Sequence, residues 1–244
     1  THQNEREKKD GSCHTEINAL TPVSTYRFLI RTAILLILFQ SGLFSLSWKE
    51  KGTSMIEIAI EAAVEAGRIL KMNSGKPKSV QRKGGEETNL VTEIDRKAEE
   101  LIIRTIKQRY KGHDFLAEES GSHQTQSEYR WIIDPLDGTT NFTHGLPIFC
   151  VSIALERKGE VVLGVVYDPN SDELFTAEKG KGAFLNKRPI RVSTTSKLIE
   201  SLLVTGFPYN VRTSTANVGH FNNFLTQAQA VRRLGSAALD LCYV

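Results

Sequence analysis

Two segments of the chain carry apolar residues at helical spacing. Between residues 55 and 75 the apolar positions recur every three or four residues, while glutamates occupy the opposite face, which predicts an amphipathic helix. A second helix is predicted from Thr92, whose hydroxyl can cap it, to about Tyr110. The predicted apolar stripe of the first helix consists of Ile56, Ile60, Ala63, Val64, Gly67 and Leu70.

The pattern changes after residue 110 to short runs rich in Val, Ile and aromatic residues, separated by turn residues. Such runs predict strands, and their close spacing predicts a largely antiparallel meander. Helices, then a sheet, then alternating strand and helix predict layered α/β packing. The predicted strands are 115–117, 131–134, 150–155, 160–167, 173–177, 183–185 with a further run to 192, and 202–205; the later predicted helices are 216–229 and one that starts near 235.

The first 54 residues have a different character. Residues 1–27 are polar and charged without periodicity, and an apolar run begins at residue 32 but is interrupted from Gln40 onward. This run is shorter than the roughly 20 apolar residues that a membrane span needs, and no small-residue cleavage site follows it. We therefore expect residues 1–54 to be a disordered N-terminal extension with a short apolar segment, and residues 55–244 to form the folded domain. Membrane anchoring through residues 28–47 is the alternative.

Composition narrows the class of protein. The chain has 244 residues, of which 40% are apolar and 24% charged, as in a globular protein with a full core. A formal charge of +3 is too small for the broad basic face of a nucleic-acid-binding protein. Cys13, Cys150 and Cys242 are widely separated and form no zinc-ligand pattern, so we expect a reducing, cytoplasmic location.

The segment WIIDPLDGTTNF, residues 131–142, carries the candidate chemistry. Asp134 follows a predicted buried strand, and Pro135 predicts a turn that returns Asp137 to the same side. The carbonyl of Leu136 lacks a predicted strand partner and can face the same point. Two carboxylates and a carbonyl are hard oxygen ligands of the kind that Mg²⁺ prefers, so the sequence predicts a magnesium site here.

Neighbouring segments add to this site. Gly138 and the residues after it favour a helix start, whose free amides can bind a phosphate. Glu118 follows a short predicted strand, and we expect it beside Asp134, where several carboxylates require a divalent cation. Asp95 can accept a hydrogen bond from the Thr139 hydroxyl, although a plain charge at a helix start explains it equally simply.

These segments resemble the inositol monophosphatase family of lithium-sensitive, magnesium-dependent phosphatases. The resemblance rests on DPLDGTTNF after an apolar strand, on EES and LVTEID upstream, and on GKGAFLN and RRLGSAALDLC downstream, so it covers residues 55–244. It implies an α+β fold, a layered α/β/α/β sandwich, that binds Mg²⁺, acts on a small-molecule phosphate ester without a phospho-enzyme and forms a homodimer.

The resemblance also implies residue roles. Glu118, Thr139 and Asp95 match the residues that position and deprotonate the attacking water. For residues 235–237 the local pattern favours a plain helix start equally well. The implied metal ligands are Glu118, Asp134, the Leu136 carbonyl and Asp137, and the implied substrate contacts are Asp137, Gly138, Thr139, Gly235, Ser236 and Ala237.

One departure from the family pattern concerns the C-terminal side. The family continues beyond the GSAALDLC helix with a strand and a W-D-x-A-A-G segment, which this chain does not contain. We therefore expect an incomplete C-terminal sub-domain and a weakened second metal site. The predicted function is a phosphomonoesterase for inositol 1-phosphate; the alternatives are a histidinol-phosphatase-like or other related phosphatase, and a non-catalytic metal-binding fragment.

Overall fold

A computed structural model describes residues 54–76, 80–82, 90–123, 125–207 and 216–244. The predicted extension therefore lies outside the described residues, apart from Ser54. Within the described ranges no helix is both long enough and apolar enough to cross a membrane.

Two long helices, α1 (Met55–Asn73) and α2 (Glu93–Arg109), form where the sequence predicts them. Each begins with a capping box in which the side chain of Ser54 or Thr92 accepts amide hydrogen bonds from the first turn. Such caps satisfy amides that have no partner within the helix. The shorter helices are α3 (Thr139–Thr143), α4 (Ala216–Leu225) and α5 (Ala237–Cys242).

The buried stripe of α1 differs from the predicted one. Ile56 and Ile60 are only half-buried, whereas Ala62 is fully buried against the rest of the core. A Cβ atom added to Gly67 would lie 2.6 Å from Cδ1 of Tyr167, so the helix approaches the sheet too closely for larger side chains. Ala63, Gly67 and Leu70 are buried as predicted. The rest of the buried stripe is shifted toward alanines because spacing identifies an apolar face but not how near that face comes to its neighbour.

The described strands confirm the predicted meander. The strands are β1 (Val80–Arg82), β2 (Leu90–Thr92), β3 (Asp114–Ala117), β4 (Gly121–His123), β5 (Tyr129–Asp137), β6 (Cys150–Arg157), β7 (Glu160–Asp168), β8 (Glu173–Glu178), β9 (Gly182–Leu185), β10 (Arg188–Ile190), β11 (Leu202–Val204) and β12 (Ala230–Arg232). Most of them form one eight-stranded sheet in the order β10-β9-β8-β7-β6-β5-β3-β4, which is antiparallel except for the parallel β3/β5 pair. A parallel pair β11/β12 and an antiparallel pair β1/β2 are separate from this sheet.

Several boundaries differ from the predicted ones. The predicted strand 183–185 and the further run form a hairpin of β9 and β10, with Asn186 and Lys187 in left-handed conformations between them. The second strand ends at Ile190 rather than at residue 192. The helix predicted to reach residue 229 ends at residue 225 and is followed by β12. Neither β4 nor β12 is predicted by the sequence, since three-residue strands are too short to show a period.

The large sheet separates two packed layers. One face packs against α1 and α2 through a continuous apolar core that includes Trp131, Ile133 and Ile153. The opposite face packs against α5 around Cys150 and Val166. This arrangement of helices, sheet and helix confirms the predicted layered α/β architecture.

Candidate active site

An irregularity in β5 brings two aspartates to one face of the sheet. Side chains alternate along a strand, so residues three positions apart normally point to opposite faces. Here Asp134 pairs with Ser152 and Asp137 pairs with Cys150, so three steps along β5 oppose two along β6. Because this bulge absorbs one residue, both aspartates share the face of Ser152 and Cys150.

The predicted strand ended at Asp134. This boundary was wrong, because β5 continues to Asp137. Pro135 has no amide proton for the ladder, and the amide of Leu136 donates to Oδ1 of Asp134 at 3.1 Å. A bulge rather than a turn therefore returns Asp137 to the side of Asp134. The exposed fractions of Asp134 and Asp137 are only 8% and 5%.

The third acidic residue, Glu118, directly follows β3. Ala117, the last residue of β3, pairs in parallel with Ile133, and the amide of Glu118 donates to the Ile133 carbonyl at 3.1 Å. This hydrogen bond holds the Glu118 backbone against β5 at the residue before Asp134. Proximity of the Glu118 carboxylate to that of Asp134 stays a prediction.

Helix α5 holds Asp137 in place. The Ser236 hydroxyl donates to Oδ2 of Asp137 at 2.8 Å, and the Ala238 amide donates to the same oxygen at 2.7 Å. Ser236 is also the N-cap of α5, since its Oγ accepts from the amide of Leu239. The structure thus confirms the helix-start interpretation of Ser236, while contact of residues 235–237 with a substrate stays a prediction.

Thr139 connects the motif to α2. Its hydroxyl lies 3.4 Å from Oδ1 of Asp95 and 3.1 Å from the Leu136 carbonyl oxygen. The other oxygen of Asp95 accepts from the amide and the hydroxyl of Thr92. Asp95 is therefore both the third residue of α2, whose side chain completes the capping box with Thr92, and a neighbour of Thr139. The two interpretations of Asp95 made from the sequence are thus compatible.

Two glycines allow the motif to pack closely. Gly138 has φ +100°, and a Cβ there would lie 2.9 Å from the Ile148 carbonyl oxygen. Asn141 donates through Nδ2 to the carbonyls of Ile148 and Leu234, at 2.8 and 2.7 Å. Gly235 has φ +91°, and a Cβ there would lie 2.9 Å from Nδ2 of Asn141. The Asn141 amide thus ties the motif helix to the segment before α5.

The cysteines near this site are not reactive groups. Burial raises the pKa of the Cys150 thiol well above its usual range, and the charge of Asp137 raises it further. Burial also raises the pKa of Cys242 to about 12, again with a contribution from Asp137. A raised pKa favours the neutral thiol, which is a much weaker nucleophile than the thiolate.

The donor set fits magnesium. It consists of carboxylate and carbonyl oxygens, without histidine or thiolate, and Mg²⁺ usually combines one or two carboxylates with several waters. Among the residues that the structure describes, no group of three or more His, Cys, Asp or Glu side chains is arranged to hold a metal ion. The metal-ligand roles of Glu118, Asp134, the Leu136 carbonyl and Asp137 therefore stay a prediction.

Sequence reasoning missed one buried residue at this site. Glu99 lies one helical turn after Asp95 on α2, and both of its carboxylate oxygens accept amides of the turn that follows Glu118. The spacing of four residues between Asp95 and Glu99 was the available signal, because it places both on one helix face. A charged residue on that face indicates a specific partner.

The chain is similar in sequence to known proteins. A sequence profile of the inositol monophosphatase family matches residues 51–244 of the chain. The inositol-1-monophosphatase of Mesorhizobium japonicum is 44% identical over 200 residues, which are 79% of this chain and 73% of that protein. The inositol-1-monophosphatase of a Synechocystis strain is 50% identical over 188 residues, 76% of this chain and 65% of that protein.

A solved structure shows the same fold. The extragenic suppressor protein suhB from Bartonella henselae superposes with a TM-score of 0.73 at 43% identity, over 78% of this chain and 73% of that one. The relatives therefore extend beyond the matched region, and the match includes the bulged strand, α2 and α5 that build the site.

Proposed function

The chain belongs to the inositol monophosphatase family, and we propose that this phosphatase of small phosphate esters hydrolyses inositol 1-phosphate with Mg²⁺ as its cofactor. The observation that carries the proposal is the β5 bulge, which places Asp134 and Asp137 on one face of the sheet. The Glu118 amide is hydrogen-bonded to Ile133, the residue before Asp134, and we infer that the Glu118 carboxylate joins the two aspartates. A sheet without the bulge would separate the two aspartates.

The proposed metal ligands are Glu118, Asp134, the Leu136 carbonyl and Asp137. Bound Mg²⁺ would make a coordinated water more acidic and neutralise charge on the leaving alkoxide. The fixed donors from Ser236 and Ala238 hold the Asp137 carboxylate in one orientation before any cation binds. Held in this way, the carboxylate needs little rearrangement on binding, which favours affinity.

Thr139 is proposed to orient the attacking water. A hydroxyl has one proton and two lone pairs, and the Thr139 proton lies toward Asp95 or the Leu136 carbonyl. Its lone pairs can then accept a hydrogen bond from water. Glu118 takes up the water proton as the oxygen attacks phosphorus, the ester P–O bond breaks opposite to it, and the departing alkoxide takes a proton from solvent water. Inorganic phosphate and the alcohol are the products.

The substrate phosphate is proposed to lie against Asp137, Gly138 and Thr139, and the polyol against residues 235–237. The Asn141 amide supports this arrangement, because it joins the two segments through the Ile148 and Leu234 carbonyls. The homodimer implied by the family resemblance is part of the same proposal, and light scattering at several protein concentrations tests it.

The test is phosphate release from inositol 1-phosphate, histidinol phosphate and fructose 1,6-bisphosphate, with Mg²⁺ and with excess chelator. We expect Mg²⁺-dependent release that is fastest from inositol 1-phosphate. Faster release from histidinol phosphate would move the assignment to a histidinol-phosphatase-like enzyme. Release from none of the three substrates would refute the proposed function.

A further inference from the structure

We propose that Glu99 is a positioning residue that sets the Glu118 carboxylate against Asp134. This inference rests on the proposed function, in which Glu118 serves as a metal ligand and takes up the water proton. Glu99 itself touches neither metal nor substrate in this proposal, and it acts through the backbone of the turn that follows β3.

The contacts of Glu99 are specific. Its side chain is buried, with 3% of its surface exposed. Oε2 accepts the amide of Glu119 at 2.7 Å, and Oε1 accepts the amide of Ser120 at 2.9 Å. Both oxygens of one carboxylate thus bind two consecutive amides. Hydrogen bonds to an ionised acceptor are shorter and stronger than those between neutral groups.

These bonds complete the anchoring of Glu118. The Glu118 amide donates to the Ile133 carbonyl of β5, and the next two amides along the chain donate to Glu99. Three successive amides are therefore held, the first by the sheet and the others by α2. The Glu118 backbone is fixed on both sides, so its side chain extends from a rigid base.

The turn connects two strands of the large sheet and is closed by the β3/β4 pair, in which Ala117 lies opposite Gly121. Its other side borders a cleft of about 670 Å³, with Glu119 and Ser120 in its lining together with side chains of α2. Across this junction the Glu99 carboxylate links the turn to the helix through its two hydrogen bonds.

Helix α2 supports both halves of the site through one pair of residues. Asp95 and Glu99 are four positions apart, and both are buried. Asp95 contacts the Thr139 hydroxyl, and Glu99 holds the turn after Glu118. One rigid helix thus sets the position of the water-orienting residue relative to that of the acidic residue. Such coupling is what a catalytic site needs, since small displacements reduce its rate.

The first test compares Glu99→Gln with the matched control Glu100→Gln, which changes an exposed side chain on the same helix. Glutamine keeps the shape of Glu99 but directs an NH₂ group at one of the two backbone amides. We expect the Mg²⁺ dissociation constant, measured by calorimetry, to rise about 10-fold, as for other residues that support metal ligands. The control variant should change it by less than about 2-fold.

The second test is a double-mutant cycle between Glu99→Gln and Glu118→Gln. If Glu99 acts through Glu118, the double variant should bind Mg²⁺ no more weakly than Glu118→Gln alone, because coupled residues are not additive. A merely structural role would weaken binding by the same factor in both backgrounds. The thermal unfolding midpoint of each variant is measured together with its Mg²⁺ affinity, so that a loss of folding is distinguished from a loss of binding. Glu99→Asp, which keeps the charge but is one methylene shorter, replaces Glu99→Gln if the latter does not fold.

The outcomes separate the two proposals. Wild-type protein that neither binds Mg²⁺ nor releases phosphate would overturn the proposed function and this inference with it. Wild-type protein that does both, together with an unchanged Mg²⁺ affinity in Glu99→Gln or an additive cycle, would overturn only the role of Glu99. The positioning role is supported if Glu99→Gln weakens Mg²⁺ binding in the wild-type protein but causes no further loss in the Glu118→Gln variant.

Discussion

The two faces of the large sheet differ in what they bury. The face toward α1 and α2 buries apolar side chains such as Trp131, Ile133 and Ile153 in one continuous core. The face toward α5 buries Asp134, Asp137 and Ser152 beside smaller apolar clusters. Adjacent residues of one strand therefore serve different purposes, since Ile133 contributes packing and Asp134 contributes polar chemistry.

This difference follows from the bulge and not from composition. A regular strand would have placed either Asp134 or Asp137 in the apolar core, where an unpaired charge is costly. The bulge keeps both on the polar face and leaves the apolar face unbroken. We therefore expect substitutions on one face to change stability and substitutions on the other to change activity.

The largest expected effect is on activity. Asp134→Asn should lower kcat/KM for inositol 1-phosphate by about 10²- to 10³-fold, the loss typical when one stabilising group at a reacting centre is removed. The thermal midpoint should not fall by more than a few degrees, because the variant removes a buried charge. Exposed Glu160→Gln is the control. Activity within about 3-fold of wild type would contradict the assignment of Asp134.

The next largest effect is on stability, one residue earlier in the same strand. Ile133→Ala should lower the free energy of unfolding by about 2–5 kcal/mol, because it leaves a cavity in a fully buried site. Denaturant titration measures this, with exposed Val192→Ala as the control. The kcat/KM of the folded fraction should stay close to that of wild type. A loss of kcat/KM as large as that of Asp134→Asn would contradict the proposal that the two faces of the sheet have different roles.

A smaller effect is expected at the junction after the bulge. Gly138→Ala should cost about 1–3 kcal/mol, since its positive φ disfavours any side chain and its Cβ would clash with the Ile148 carbonyl. Gly206→Ala, where a Cβ meets nothing within 4 Å, is the control. Equal stability of the two variants by thermal denaturation would show that the junction is not constrained.

The stability of the polar face should also fall when one hydrogen-bond donor to Asp137 is removed. Ser236→Ala removes the hydrogen bond to Asp137 and the N-cap of α5, so we expect a loss of about 1–2 kcal/mol. Urea titration measures it. A variant as stable as wild type would mean that the Ala238 amide alone holds the aspartate.

The smallest effect is expected at Ser152. Its hydroxyl is buried beside Asp134 in the register and makes no hydrogen bond among the described residues. Ser152→Ala should therefore leave the free energy of unfolding within about 0.5 kcal/mol of wild type or raise it, because an unsatisfied buried hydroxyl costs stability. A clear loss in the same titration would reveal a partner for this hydroxyl.

Much of this fold was predictable from local pattern. The periodicity and caps of α1 and α2 predicted both helices, and the alternating Val- and Ile-rich runs predicted the meander of β5 to β8. The motif also predicted that Asp134, Asp137 and Thr139 belong to one site; the structure shows that Asp134 and Asp137 share a face of the sheet, and their common role stays a prediction. The short strands β4 and β12 escaped prediction because three residues are too few to show a period.

The amino-acid sequence by itself determined the element types, the family and the identity of the acidic residues, because these depend on residue type and spacing along the chain. Only the tertiary structure decided that a bulge turns Asp137 to the face of Asp134, that Ser236 donates to Asp137, and that Glu99 holds the turn after Glu118. These three features join segments between 20 and 100 residues apart or depend on strand register. Local spacing carries no information about such pairings, since they arise only when the sheet and its helices have packed.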